Sequence, residues 1–156
     1  MMKTAIMVCM LLFVALSGAA QEFAADGSVR LTNISTDSWR LDQVEGDGIT
    51  VTGAHQGRVV LAIGHRYHFD LSDIDSEHMP LVIRDIAGRP IFSQENPDQG
   101  ADWEGSDPEI SDDGITFTLT ESLAEAISGF RATTYPAMHG FIATYDPEAI
   151  TEQEAE

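Results

Sequence analysis

Residues 115–120 read ITFTLT, and this stretch decides the class of the fold. Ile115, Phe117 and Leu119 fall on one side of an extended chain, and Thr116, Thr118 and Thr120 on the other. A period of two with β-branched and aromatic residues is the pattern of a half-buried strand. Working outward, the same pattern recurs in short pieces. SVRLTN (28–33), SWRLDQV (38–44) and GHRYHFDL (64–71) alternate, and GITVTG (48–53) is a brief strand between glycines. RVVLAIG (58–64) is a continuous apolar run, which predicts a strand buried on both faces. PLVIRD (80–85), PIFSQ (90–94), FRATTY (130–135) and HGFIATY (139–145) complete the set. Short strands at this spacing, with turn residues between them, predict an all-β sandwich or barrel.

TESLAEAISG (120–129) breaks the pattern. Thr120 or Ser122 can cap a helix, Leu123 and Ile127 give it an apolar face, and Gly129 is placed to end it. The expectation is one short crossover helix between two strands. Residues 95–114 carry eight acids and one Trp with no periodicity, and read as a long loop. Asp112-Asp113-Gly114 suits the turn into ITFTLT. The last residues, 147–156, read as an acidic, frayed tail.

The first twenty residues have the form of an export signal: Lys3, an apolar core from Ala5 to Leu16, then small residues to Ala20. Cleavage is simplest between Ala20 and Gln21, and a cut near Ala24 or Ala25 fits the same rule. With no twin Arg and no Cys after the apolar core, the expectation is a general secretory route to the periplasm or the exterior. No later segment is apolar enough to insert in a membrane. Residues 21–146 are expected to form one domain, and a monomer. Cys9, the only cysteine, falls in the segment to be removed, which leaves neither disulfide nor thiolate ligand.

The chain has 26 acidic and 8 basic residues, a formal net charge of -18. Lys3 is its one lysine, so everything beyond the signal relies on seven Arg. Such a surface repels nucleic acid and anionic lipid. Acid enrichment with lysine loss suits high salt, where self-repulsion is screened. Asp70, Asp73, Asp75 and Glu77 lie close in sequence but lack the glycine and terminal Glu of a calcium loop, and read as solvated surface. His65 and His68 read as surface residues on a strand. Neither a nucleophile elbow nor a zinc-protease helix motif is present, so the chain is not expected to be an enzyme.

The order of these pieces resembles the cupredoxin-like (plastocyanin-like) family, particularly secreted forms from halophilic and marine microbes. The resemblance runs from YHFDLSD through a His before PLVIRD, a long loop and GITFTLTESLAEAI to FRATTYPAMHGFI, covering roughly Gly57 to Tyr145. It implies a Greek-key β-sandwich with one copper at its end. It also implies a His ligand before PLVIRD and a Cys-x-x-His-x-x-Met-x-Gly loop before the last strand. With Met138 and Gly140 matched to that loop, the Cys position falls on Ala132 and the second His position on Tyr135. The first His position falls on Met79, with His78 one residue earlier. Strand alternation would turn Met79 inward with Leu81 and Ile83, and His78 outward.

A blue-copper centre needs two imidazoles and a thiolate. On this alignment the type 1 site is degenerate, and the expected function is a secreted binding or structural module with no cofactor and an unknown protein or small-molecule partner. A second reading remains. Met79 and Met138 are the only methionines beyond the signal, and each adjoins a histidine, His78 and His139. Thioether and imidazole together suit Cu(I), so this His/Met set is the candidate metal site of a copper-handling protein. Electron transfer through type 1 copper is the remote third reading.

Overall fold

A computed structural model describes residues 24–53, 55–100 and 102–154. The proposed signal segment lies outside them. Among the described residues, eleven strands form two sheets. They are β1 (Gly27–Ile34), β2 (Ser38–Gly46), β3 (Ile49–Thr52), β4 (Arg58–Ala62), β5 (Arg66–Asp70), β6 (Leu81–Asp85), β7 (Pro90–Ser93), β8 (Glu109–Ser111), β9 (Gly114–Thr118), β10 (Ile127–Ala132) and β11 (His139–Tyr145). One sheet has the order β2-β1-β5-β9-β8, the other β3-β4-β11-β10-β6-β7. All pairings are antiparallel except β1 with β5 and β4 with β11. The fold is therefore mostly β, in two sheets, with two short helices.

Alternation does what the sequence demands of it. Val29 and Leu31, Tyr67 and Phe69, and Ile115 and Phe117 are buried on the first sheet, facing Leu81 and Ile83, Phe92, Phe130 and Ile142 of the second. Phe117 packs on Phe69, Phe92 and Tyr67 at ring separations of 5.1 to 6.4 Å, so one aromatic cluster joins the sheets. The Tyr67 hydroxyl lies 2.9 Å from Gly48 O and 2.8 Å from Ala62 O, fixing the ends of β3 and β4 to β5.

Four expectations need correction. β4 is not buried on both faces: Val59 and Leu61 are buried, but Val60 is only partly buried and Arg58 is exposed, so one side of the strand faces the core and the other does not. The crossover helix α1 (Glu121–Ala126) starts as expected, with the Leu123 N–H donating to Thr120 Oγ1, but Gly129 does not end it. It stops at Ala126, and Ile127 is already the first residue of β10, opposite Asp85. There the β-branched, buried Ile127 serves the sheet better than a third helical turn. Gly129 sits inside β10, where an added Cβ would lie 2.6 Å from Gly140 O. The tail is not frayed coil: Pro147–Glu154 form a helix, α2, begun by Pro147 and by Asp146 Oδ1 accepting the Glu148 N–H. The loop of 95–114 holds a 3₁₀ turn (Pro97–Gly100) and the edge strand β8, paired to β9.

Candidate functional site

The residues singled out by sequence converge on one end of the sandwich, at the loop joining β10 to β11. Ala132 closes β10 and is fully buried. Its N–H donates to Met138 O across 2.9 Å, and the Met138 N–H donates to Tyr135 O across 2.9 Å. These two bonds shut residues 132–138 into a tight loop. Met138 is fully buried among core side chains, and Tyr135 and Met79 pack against that core. Gly140, next in β11, lies under the Phe130 ring, which an added Cβ would meet at 2.2 Å. A glycine two residues after the buried Met is therefore a packing requirement here.

Two neighbouring loops brace this one. The Thr133 N–H donates to Pro80 O and the Thr134 hydroxyl to His78 O. From the other side, Gln56 Nε2 donates to Ala137 O at 3.0 Å, while the Gln56 N–H reaches Trp39 O. Gln56 has φ 46°, a left-handed conformation that its two-way bonding holds in place.

The histidines do not join the buried set. β6 begins at Leu81, so strand alternation does not act on His78 and Met79. Both sit in a turn whose N–H groups donate to Asp75 O. The His78 ring points to solvent, with Nδ1 2.7 Å from Asp75 Oδ2. The Asp75 carboxyl is held below its ordinary value, first by this imidazole. His139 places Nδ1 3.0 Å from Ala137 O and packs edge-on to Phe141, outside the core. The four proposed ligands thus divide into two inward thioether residues and two outward imidazoles. Among the described residues no three His, Cys, Asp or Glu converge on one point. The groups that the structure gathers at this end do not fit a type 1 copper centre: a methyl group stands at 132, a phenol at 135, and the imidazoles of His78 and His139 turn to Asp75 and to Ala137 O.

Trp39 is an inward residue of β2. It is fully buried, and its Nε1 has no hydrogen-bond partner among the described residues, close by the Gln56 brace. Its alternation with Leu41 signalled burial and nothing of the orphaned donor. The acidic run disperses: Asp70 and Asp73 both pair with Arg30, and Asp75 with His78. His68 is half-buried rather than a surface residue, with Nδ1 2.8 Å from Thr116 Oγ1. No helix among the described residues is long and apolar enough to cross a membrane.

No family model, no curated protein and no solved structure matches the chain.

Proposed function

We propose that the chain is an exported, cupredoxin-like Greek-key sandwich that has lost its type 1 copper site and works as a non-catalytic binding or structural module. The observation that carries this reading is the filled sandwich end: Ala132 and Met138 are fully buried, and the 132–138 loop closes on itself through its own backbone. Where the thiolate and imidazoles of a copper centre are replaced by methyl, phenol and thioether groups, side-chain packing takes the space. The interleaved strands support the Greek-key part. The β6–β7 hairpin of one sheet intervenes in sequence between β5 and β9, which pair antiparallel in the other. The β8–β9 hairpin intervenes likewise between β6 and β10.

The test is a titration with Cu(II) under oxidising and Cu(I) under reducing conditions. We expect no saturable binding and no intense visible charge-transfer band. Submicromolar Cu(I) binding that disappears in Met138→Ala, checked for folding by circular dichroism, would establish the copper-handling reading instead. The resemblance itself is tested by rebuilding: Ala132→Cys, Tyr135→His and Met79→His together should create a Cu(II)-thiolate band if the loop alignment is right.

A further inference from the structure

The outer face of the six-stranded sheet differs in charge from the rest of the molecule. Its strands contain one acidic residue, Asp85, which is buried at a strand end and bonded to Arg89. They also contain Arg58, Arg84 and Arg131. On the five-stranded sheet every arginine meets a carboxylate: Arg30 with Asp70 at 2.8 Å, Arg40 with Asp42 at 2.6 Å and Arg66 with Glu109 at 3.2 Å. On the six-stranded sheet the guanidiniums of Arg58, Arg84 and Arg131 make no ion pair or hydrogen bond with any described residue. In a chain of 26 acids this absence is a property of the face.

The register arranges these groups. Arg58, Phe141, Gly129 and Arg84 lie side by side in one cross-strand row over β4, β11, β10 and β6. Arg58 and Arg84 are thus three strand spacings apart, about 14 Å. Arg131 is opposite Val82 and His139, so it stands diagonally beside Arg84. The Nε atoms of Arg84 and Arg131 are buried without a partner among the described residues. Burial and the neighbouring Arg131 charge both push the Arg84 guanidinium below its ordinary value. Two like charges held together without an acid form an arrangement that an anion would relieve. At the middle of the row Phe141 is 50% exposed, and Ile86, in the turn after β6, is 86% exposed. Arginine and aromatic side chains with acids excluded are the composition of an interface centre.

We propose that this face docks an extended acidic segment of a partner polypeptide, its carboxylates on Arg58 and on the Arg84–Arg131 pair and an apolar side chain on Phe141. The row length fits four or five extended residues. The net charge of -18 opposes any anion at long range. At 0.15 M ionic strength the screening length is about 8 Å, so direct guanidinium contacts survive while the distant field does not. A long polyanion, which would have to lie over the acidic surroundings as well, fits less well than a short segment. The surface lies on the outer side of the sheet and borders the sandwich end at His139, which stands opposite Arg131 and packs edge-on to Phe141.

The test uses a fluorescein-labelled Glu-Glu-Phe-Glu-Glu peptide and its Gln-for-Glu counterpart, followed by anisotropy at 0.15 M salt. The acidic peptide should bind saturably and the neutral one at least ~10-fold more weakly. Arg84→Gln with Arg131→Gln should weaken the acidic peptide by on the order of 10-fold or more, and Arg40→Gln should leave it unchanged. Amide shift mapping on the unsubstituted protein, which does not depend on any variant folding, should place the perturbations at Gly129, Arg131 and Phe141. Equal binding of both peptides, equal loss in Arg40→Gln, or shifts confined to other surfaces would overturn the proposal. So would competition by inorganic sulfate as effective as the peptide, which would make the face a site for free oxyanions. Self-association abolished by the same double substitution would assign the face to a second copy of the chain.

Discussion

At the scale of single residues, His68 shows how neighbours on another strand set chemistry that local sequence does not reveal. It alternates outward on β5, yet its ring packs over Gly114 and bonds Thr116, both on β9. Burial holds its pKa below the ordinary value, outweighing the acidic groups around it. The unfolded chain therefore binds this proton more readily than the folded one. His68 contributes stability that is present above about pH 6.5 and is lost as pH falls through that value toward its folded pKa. Denaturant unfolding should show stability decreasing from pH 7 to pH 5, with a shallower slope in His68→Gln. An NMR titration in which His68 protonates at or above the value of an unstructured histidine would refute this. Buried carboxylates act in a separate window: Asp85, held below its ordinary value first by the Arg89 N–H, loses its contribution only below about pH 4.

At the scale of elements, α1 is a helix too short to stand alone and is held at both ends by neighbours. Six residues make fewer than two turns, well under the length at which isolated helices persist. Thr120 caps its start, Leu123 anchors it in the core, and Ile127 hands the chain to β10. Thr120→Ala should cost about 1 kcal/mol in equilibrium unfolding, and Thr120→Ser much less. Equal losses in both variants would show that the methyl group, and not the cap, matters. The start of this helix was legible in sequence because capping is local. Its end was not, since Gly129 carries the same stop signal whether it follows a helix or lies inside a strand under a neighbouring backbone. The α2 helix was missed for a related reason: its acidic composition suggested solvation, while Asp146 and Pro147 supply a start.

At the scale of the whole molecule, charge is the dominant quantity. With a net charge of -18 on one sandwich, self-repulsion opposes the compact state, and added salt should relieve it. The screening length falls from about 10 Å at 0.1 M to 3 Å at 1 M. The melting temperature should therefore rise with sodium chloride over that range, and more than it does with an isosmotic amount of sucrose. A melting temperature independent of salt would show that the acids are too well dispersed to strain the fold. The existence of most strands, a helix start at Thr120 or Ser122, the inward positions of Phe69 and Phe117, and the acid excess were determined by the sequence alone, because each depends on residues close along the chain; the edge strand β8 was not. Which strands neighbour one another, and so which face gathers three unpaired arginines, only the tertiary structure decided. The same holds for the turn at Asp75 that keeps His78 in solvent and for the partner strand that covers His68. Pairing joins residues scores of positions apart, and a period of two fixes which side a residue takes while leaving open what lies there.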